Sequence, residues 1–172
     1  MDSFPAIEID KVKAWDFRLA NINTSECLNV AYGVDANYLD GVGVSITSIV
    51  LNNRHINLDF YIIADVYNDG FFQKIAKLAE QNQLRITLYR INTDKLQCLP
   101  CTQVWSRAMY FRLFAFQLLG LTLDRLLYLD ADVVCKGDIS QLLHLGLNGA
   151  VAAVVKDVEP MQEKAVSRLS DP

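Results

Sequence analysis

Short apolar runs alternate along this chain with stretches in which apolar residues recur every three or four positions, the pattern of strands and helices in series. Residues Cys27–Val34, Cys-Leu-Asn-Val-Ala-Tyr-Gly-Val, read as the first strand. A polar turn over 35–40 follows, and Val42, Ile46, Ile49 and Val50 then share one face of a helix over about 41–53. Residues 58–64, rich in β-branched and aromatic side chains, read as the next strand. Asp69-Gly70 opens a helix carrying Phe72, Ile75, Ala76 and Ala79 at helical spacing, and 85–91 form a third strand. After a loop over 97–103 comes a strongly apolar helix over about 106–119, with Gly120 as its stop. A strand over 125–129 runs into Asp130-Ala131-Asp132. Asp138, with Gln141 three residues on, caps a short helix through Leu143. A last strand covers 149–155, and Pro160 begins a final helix. Residues 1–26 carry few signals and read as an extended arm packed on the domain. Repeated β-α units predict an α/β fold with a mostly parallel, Rossmann-like sheet covered by helices on both faces.

Composition narrows this picture. A chain of 172 residues, 52% of them hydrophobic, has the size and apolar content of one domain with a core, which excludes wholesale disorder. A net charge of −4 argues against nucleic-acid binding, since no basic excess exists to neutralise a phosphate backbone. One nucleotide in a pocket remains compatible, because local positive charge or a metal ion suffices for it. No apolar run reaches the ~20 residues of a membrane span; the longest, 108–119, is broken by Arg112 and Gln117. The start, Met1-Asp2-Ser3-Phe4-Pro5, is acidic and lacks the layout of a signal peptide. The expectation is a cytoplasmic protein with reduced thiols and no transmembrane segment. Cys98-Leu99-Pro100-Cys101 has redox or zinc spacing, but no second pair accompanies it, and His55 and His144 are not spaced as ligands. Those thiols read as ordinary loop residues, His55 as a loop residue and His144 as a surface one.

The sharpest chemical signal is an apolar strand, Leu126-Leu127-Tyr128-Leu129, that ends in two carboxylates separated by one residue. If the extended conformation continues, Asp130 and Asp132 point the same way at the carboxyl end of a strand, where open α/β sheets bind ligands. Two such charges repel unless a proton or a cation lies between them. A hard divalent ion, Mg²⁺ or Mn²⁺, together with substrate phosphates would resolve that conflict. The stretch Tyr32-Gly33-Val34-Asp35-Ala36-Asn37-Tyr38 also leaves a strand and enters a helix. It offers backbone N–H groups, a carboxylate for ribose or amide contacts and a tyrosine for stacking. Neither a GxGxxG nor a Walker A sequence is present. Arg112 stands among residues expected to be buried and so demands an anion: a structural carboxylate, Asp130 itself, or a ligand phosphate. Lys156 and Asp157, at the end of the last strand, reach toward the same sheet edge. Asp124-Arg125, at the start of its strand, belongs to the opposite edge.

In order and spacing, Ala31-Tyr32-Gly33-Val34-Asp35-Ala36-Asn37-Tyr38, then Tyr110-Phe111-Arg112-Leu113, then Leu127-Tyr128-Leu129-Asp130-Ala131-Asp132-Val133 resemble the retaining family-eight glycosyltransferases. The resemblance implies the nucleotide-diphospho-sugar transferase fold of the first glycosyltransferase type, with a UDP-sugar donor and Mg²⁺ or Mn²⁺. Carried across, Gly33, Val34, Asp35, Ala36, Asn37 and Tyr38 contact uridine and ribose, with Ala131 beside the ribose. Arg112 lies near the donor, and Asp130 and Asp132 hold the metal. The implied reaction moves glucose from UDP-glucose, with retention, onto a sugar of the lipopolysaccharide outer core. That acceptor implies work at the inner face of the cytoplasmic membrane, by peripheral association. The family's downstream histidine ligand, Asn-x-Gly segment and Asp-Gln pair have no counterpart here. Residues 27–172 therefore read as a donor-binding part, incomplete at the C-terminus and inactive or very weak alone.

Two other readings fit part of the pattern. A haloacid-dehalogenase-type phosphatase uses an apolar strand followed by DxDx[T/V], with Asp130 as nucleophile and Asp132 as general acid/base. It also needs a later lysine and paired acidic residues, and no Asp-Asp pair follows Asp132. The other reading is an inactive nucleotide-binding fragment.

Overall fold

In the computed structural model, residues 7–19, 26–102 and 106–156 are described. Among the described residues, five strands form one sheet: β1 (Ile9–Asp16), β2 (Cys27–Val34), β3 (Asn57–Ala64), β4 (Arg85–Ile91) and β5 (Leu127–Tyr128). Their order is β1-β4-β3-β2-β5, parallel throughout except that β1 runs antiparallel to β4. The helices are α1 (Leu39–Asn52), α2 (Asp69–Asn82) and α3 (Phe111–Leu119).

Alternation along the central strands divides the core into two layers. Val30, Tyr32, Phe60, Ile62, Ile86 and Leu88 face α1 and α2. Ala31, Tyr61, Ile63 and Ile91 face α3, through Phe111, Phe114, Ala115 and Leu119. Being covered on both sides, β2 and β3 read as continuous apolar runs, as parallel strands do. The helix starts follow ordinary capping chemistry. Asn68 caps α2 by accepting the Phe71 amide at 2.8 Å, and Gln83, at φ 55°, turns the chain out of its end.

Several elements depart from the sequence-based expectations. The arm expected over 1–26 contains a true strand, because Ile9 through Asp16 pair with Ile91 back to Arg85. An ion cluster ties down its end. The Arg18 guanidinium forks onto Asp16 at 2.6 and 2.8 Å and reaches both oxygens of buried Asp59 at 3.2 Å, while Arg85 approaches Asp59 at 3.5 Å. Burial pushes the Asp59 carboxyl up against the pull of both arginines, whereas the Arg18 hydrogen bond holds Asp16 below the usual carboxylate range.

The apolar helix expected from 106 begins as a 3₁₀ turn, Arg107–Tyr110, and becomes α-helical at Phe111. Gly120 closes it without a left-handed cap. Its own φ is −65°, and a Cβ there would lie 2.6 Å from the Phe116 carbonyl oxygen, so clearance is what glycine supplies. The helix expected at 138–143 is a 3₁₀ turn, Ser140–His144, and Asp138 accepts the Ser140 amide at 2.7 Å. The strand expected over 149–155 does not form. Val151, Val154 and Val155 are almost fully exposed, and the segment pairs with no strand among the described residues, so β propensity alone cannot hold it. Lys156 accordingly sits in exposed coil rather than at a strand end, and Asp157 and the helix expected from Pro160 lie outside the described residues.

Asn53, at the end of α1, is buried and clips the segment beyond β5 to the helix. Its amide donates to Ile49 O at 2.9 Å and Gly137 O at 3.2 Å, and its oxygen accepts the Ile139 amide at 2.8 Å. No helix among the described residues is long and apolar enough to cross a membrane.

Candidate functional site

The chain leaves β2 for β3 and β4 on one side and returns on the other as β5, so the strand order switches sides at the β2/β5 pair. In open α/β sheets the loops on either side of such a point diverge, and ligands bind in the crevice this leaves at the carboxyl ends of the strands. Ala31 pairs with Tyr128, and the Leu129 amide donates to Ala31 O at 3.0 Å. Asp35, leaving β2, and Asp130, leaving β5, therefore stand at the same edge.

The three sequence motifs interlock here. Gly33 is overlain by α3 and β5: a Cβ at this position would lie 2.6 Å from Phe111 Cβ and 2.7 Å from the Tyr128 hydroxyl. Tyr128 in turn donates to Gly33 O at 3.4 Å, and burial pushes its phenol up to about 12, so it stays a neutral donor. The Arg112 guanidinium lies over the Tyr128 ring, 5.3 Å from its centre, and Nη2 donates to Asp130 Oδ1 at 2.9 Å. At the start of α1, a Cβ on Gly41 would come within 3.1 Å of Ala131 O, so glycine lets the 130–132 turn settle on the helix.

Of the three anionic partners open to Arg112 on sequence grounds, the structure supplies Asp130. The expectation of burial is corrected, because the Arg112 side chain is 42% exposed and Leu113 and Phe116 also face outward. A helix of this length with one packed face leaves its other stripe in water. The Arg112 Nε is nonetheless buried without a hydrogen-bond partner among the described residues. An ion pair so exposed contributes about 0–1 kcal/mol to stability, which leaves the arginine's place at the crevice unexplained by folding.

Asp130 and Asp132 do not continue the strand. The Val133 amide donates to Asp130 O at 3.2 Å, closing a turn, so the argument from alternating side chains does not apply to them. The ladder to β2 ends at Leu129, and with no partner beyond it the chain is free to bend. Both carboxylates are exposed; Asp130 holds Arg112, and Asp132 makes no hydrogen bond among the described residues. No cluster of three or more His, Cys, Asp or Glu able to hold a metal occurs among the described residues. Two accessible carboxylates fit a hard divalent cation as a partial shell, completed by substrate phosphates and water.

The loop after β2 is a 3₁₀ turn, Ala36–Tyr38, capped by Asp35, whose Oδ1 accepts the Asn37 amide at 2.9 Å. Val34 is buried, whereas Ala36, Asn37 and Tyr38 are exposed at the crevice edge. Asp35 Oδ2 accepts the Ser106 hydroxyl at 2.8 Å. Sequence reasoning passed over Ser106, and also Asp65, which follows β3 as Asp35 follows β2. Burial pushes the Asp65 carboxyl up, and the charge on Asp35 adds to that shift. An aspartate directly after an apolar strand was the available signal for Asp65; Ser106 offered none. Cys98 and Cys101 are exposed free thiols, as expected of ordinary loop residues. His55 pairs with Asp138 at 3.4 Å, and His144 is exposed. A groove of about 570 Å³ lies between α1 and α2, and one of about 350 Å³ is lined by His55 and His144; the residues of the interlock line neither.

Comparison with known proteins bears on the family and the fold. A family model described as glycosyl transferase family 8 matches residues 29–171. The chain is 39% identical over 163 residues to a lipopolysaccharide 1,2-glucosyltransferase of Escherichia coli, covering 95% of this chain and 46% of that protein. It is 38% identical over 145 residues to a lipopolysaccharide 1,3-galactosyltransferase of Salmonella typhimurium, covering 84% and 43%. It is 39% identical over 132 residues to the lipopolysaccharide glucosyltransferase WaaO of Escherichia coli K12, covering 76% and 39%. The chain thus spans less than half the length of these relatives. Among solved structures, galactosyltransferase LgtC in complex with donor and acceptor sugar analogues superposes with a TM-score of 0.58 at 19% identity, covering 67% of this chain and 41% of that one. The bifunctional glycosyltransferase WbbM gives 0.56 at 22% identity, covering 76% and 23%. These likenesses establish the fold: an α/β nucleotide-diphospho-sugar transferase sheet of the first glycosyltransferase type.

Proposed function

This chain belongs to glycosyl transferase family 8, and we propose that residues 27–172 are the donor-binding part of a retaining hexosyltransferase that carries glucose from UDP-glucose to the lipopolysaccharide outer core. One observation carries the reading: Gly33, Arg112, Tyr128 and Asp130, from three separate parts of the sequence, interlock where the strand order switches from one side of β2 to the other.

The roles follow from position and chemistry. Gly33, Val34, Asp35, Ala36, Asn37 and Tyr38 form the wall of the crevice that takes uridine and ribose, with Ala131 opposite. Asp35 offers acceptors to the donors of a base or sugar, and Tyr38 a half-exposed ring for stacking. Asp130 and Asp132 would hold Mg²⁺ or Mn²⁺, which when bound supplies positive charge to a leaving diphosphate. Arg112 brings a further positive charge to the same place on a chain whose net charge is −4. These residues bind and orient the donor, and none is assigned as a nucleophile. Glucose is favoured over galactose because two of the three relatives named above are glucosyltransferases. With such an acceptor, the protein would work in the cytoplasm, in peripheral contact with the inner face of the cytoplasmic membrane. The phosphatase reading is not favoured: the family match takes in the 130–132 segment on which it rested.

Calorimetric titration of UDP-glucose with and without Mn²⁺ tests this, in the unaltered chain and in Asp130→Asn/Asp132→Asn. Binding should need the metal and should weaken at least about tenfold in the double variant, the scale of losing a charge-assisted ligand. Binding that ignores both the metal and the substitutions would falsify the reading.

A further inference from the structure

We infer that Ser106 is a positioning residue for the donor nucleotide, holding the Asp35 carboxylate in the orientation that the nucleoside meets. The inference rests on the reading of Asp35 as a nucleoside contact given above.

Ser106 occupies the position just before the 3₁₀ turn Arg107–Tyr110, in an extended conformation with φ −72° and ψ 166°. A serine at such a position ordinarily turns its hydroxyl onto an amide of the turn it precedes. Here it makes no such bond. The hydroxyl instead donates 2.8 Å to Asp35 Oδ2, on a loop 71 positions earlier in the chain. A capping residue has been diverted from its own turn to a carboxylate on another element.

That carboxylate is thereby fixed at both oxygens, since Oδ1 already accepts the Asn37 amide at 2.9 Å. A carboxylate offers about four lone-pair sites, so two stay open toward N–H or O–H donors of a ligand. Their direction is set by the two bonds already made. Without the hydroxyl, Asp35 keeps one anchor and its terminal torsion is free to sweep a broad, two-fold well. Ser106 also belongs to the element that carries Arg112. Its carbonyl accepts the Met109 amide at 3.2 Å, and the turn passes directly into Phe111, packed on Gly33, and Arg112, paired with Asp130. A single surface hydroxyl thus joins the nucleoside wall to the helix facing the phosphates. Because Ser106 is exposed, water can replace its bond when the protein is judged by stability alone. The effect of removing it falls on the ligand.

The test is calorimetric titration of UDP in the presence of Mn²⁺ against the unaltered chain, Ser106→Ala, Ser106→Thr, Asp35→Asn and Asp35→Asn/Ser106→Ala, with thermal unfolding of each. Ser106→Ala should weaken UDP binding about tenfold, as loss of one hydrogen bond to a charged group does, with no change in Tm. Ser106→Thr, which keeps the hydroxyl, should restore binding to within about twofold of the unaltered chain. Adding Ser106→Ala to Asp35→Asn should cost little more than Asp35→Asn alone, because the two act as one unit. If the unaltered chain binds UDP and Ser106→Ala binds it equally well, the role of Ser106 is overturned while the donor site stands. A loss that Thr does not recover, or that comes with a lowered Tm, makes Ser106 structural and overturns the role as well. Failure of the unaltered chain to bind UDP removes the donor-site reading itself, and this role with it.

Discussion

At position 33 the site depends on what is missing. A methyl group there would stand 2.6 Å from Phe111 Cβ and 2.7 Å from the Tyr128 hydroxyl, and neither neighbour can retreat without lifting α3 or β5 off β2. Gly33→Ala should therefore destabilise the fold by about 1–3 kcal/mol, the usual cost of overpacking, as read from urea unfolding midpoints. A larger loss of UDP affinity should come with it, because Arg112 and Asp130 ride on the displaced elements. An alanine variant as stable as the parent would show that the three motifs do not interlock. Asp35, Arg112 and Asp130 could be picked out from the sequence, since a charge at the end of an apolar strand or within an apolar helix stands out against its neighbours. Ser106 and Gly41 could not. Their significance lies in contacts with Asp35 and Ala131, far away along the chain, and nothing in their own surroundings marks them.

Whole elements were legible where burial is regular. β2 and β3 are nearly continuous apolar runs, α1 and α2 carry one apolar face, and these and β4 appear close to their expected places. β1 does not, for a reason visible in its burial. Ile9, Val12 and Trp15 are its half-buried residues, three apart, because a bulge between Lys11 and Lys13 resets the alternation. The valines of 151–155 err in the other direction, having strand composition but no edge to pair with. The link that holds the 135–139 segment was equally hidden, since Asn53 looks like an ordinary polar residue at a helix end. Its buried amide joins α1 to Gly137 and Ile139, and Asn53→Ala would leave the Ile139 amide without its partner, whereas Gly137 O keeps the Cys135 thiol at 3.0 Å. We expect a loss of about 1–3 kcal/mol from this unsatisfied amide, with faster hydrogen exchange at Ile139. Unchanged exchange there would show that the segment is held by other contacts.

For the molecule as a whole, buried hydroxyls and a buried thiol set the alkaline limit of stability. Burial pushes Cys27 up to about 12 from an ordinary 9.0, and Tyr32, Tyr61 and Tyr128 up to about 12 from 10.0. Between those values the unfolded chain gives up protons that the folded chain keeps, so the stability these groups contribute is complete below pH 9 and is lost as pH rises toward 12. Denaturation midpoints should be level to about pH 9 and fall steadily above it, with tyrosinate absorbance appearing together with unfolding. Early ionisation of these phenols in a chain that stays folded would refute this. The order of the strands also bears on how the molecule comes to be folded. β2 with β3 and β3 with β4 join neighbours in the chain, through single crossovers. β4 must find β1, laid down far earlier, where Ile91 settles beside Ile9, and β5 closes a longer loop still, with Leu127 settling beside Val30. Closing so long a loop is costly in chain entropy and gains only a two-residue strand. The crevice spans that late pairing, so the part of the protein with chemical work to do is the last to take shape, and a newly made chain is compact before it is competent.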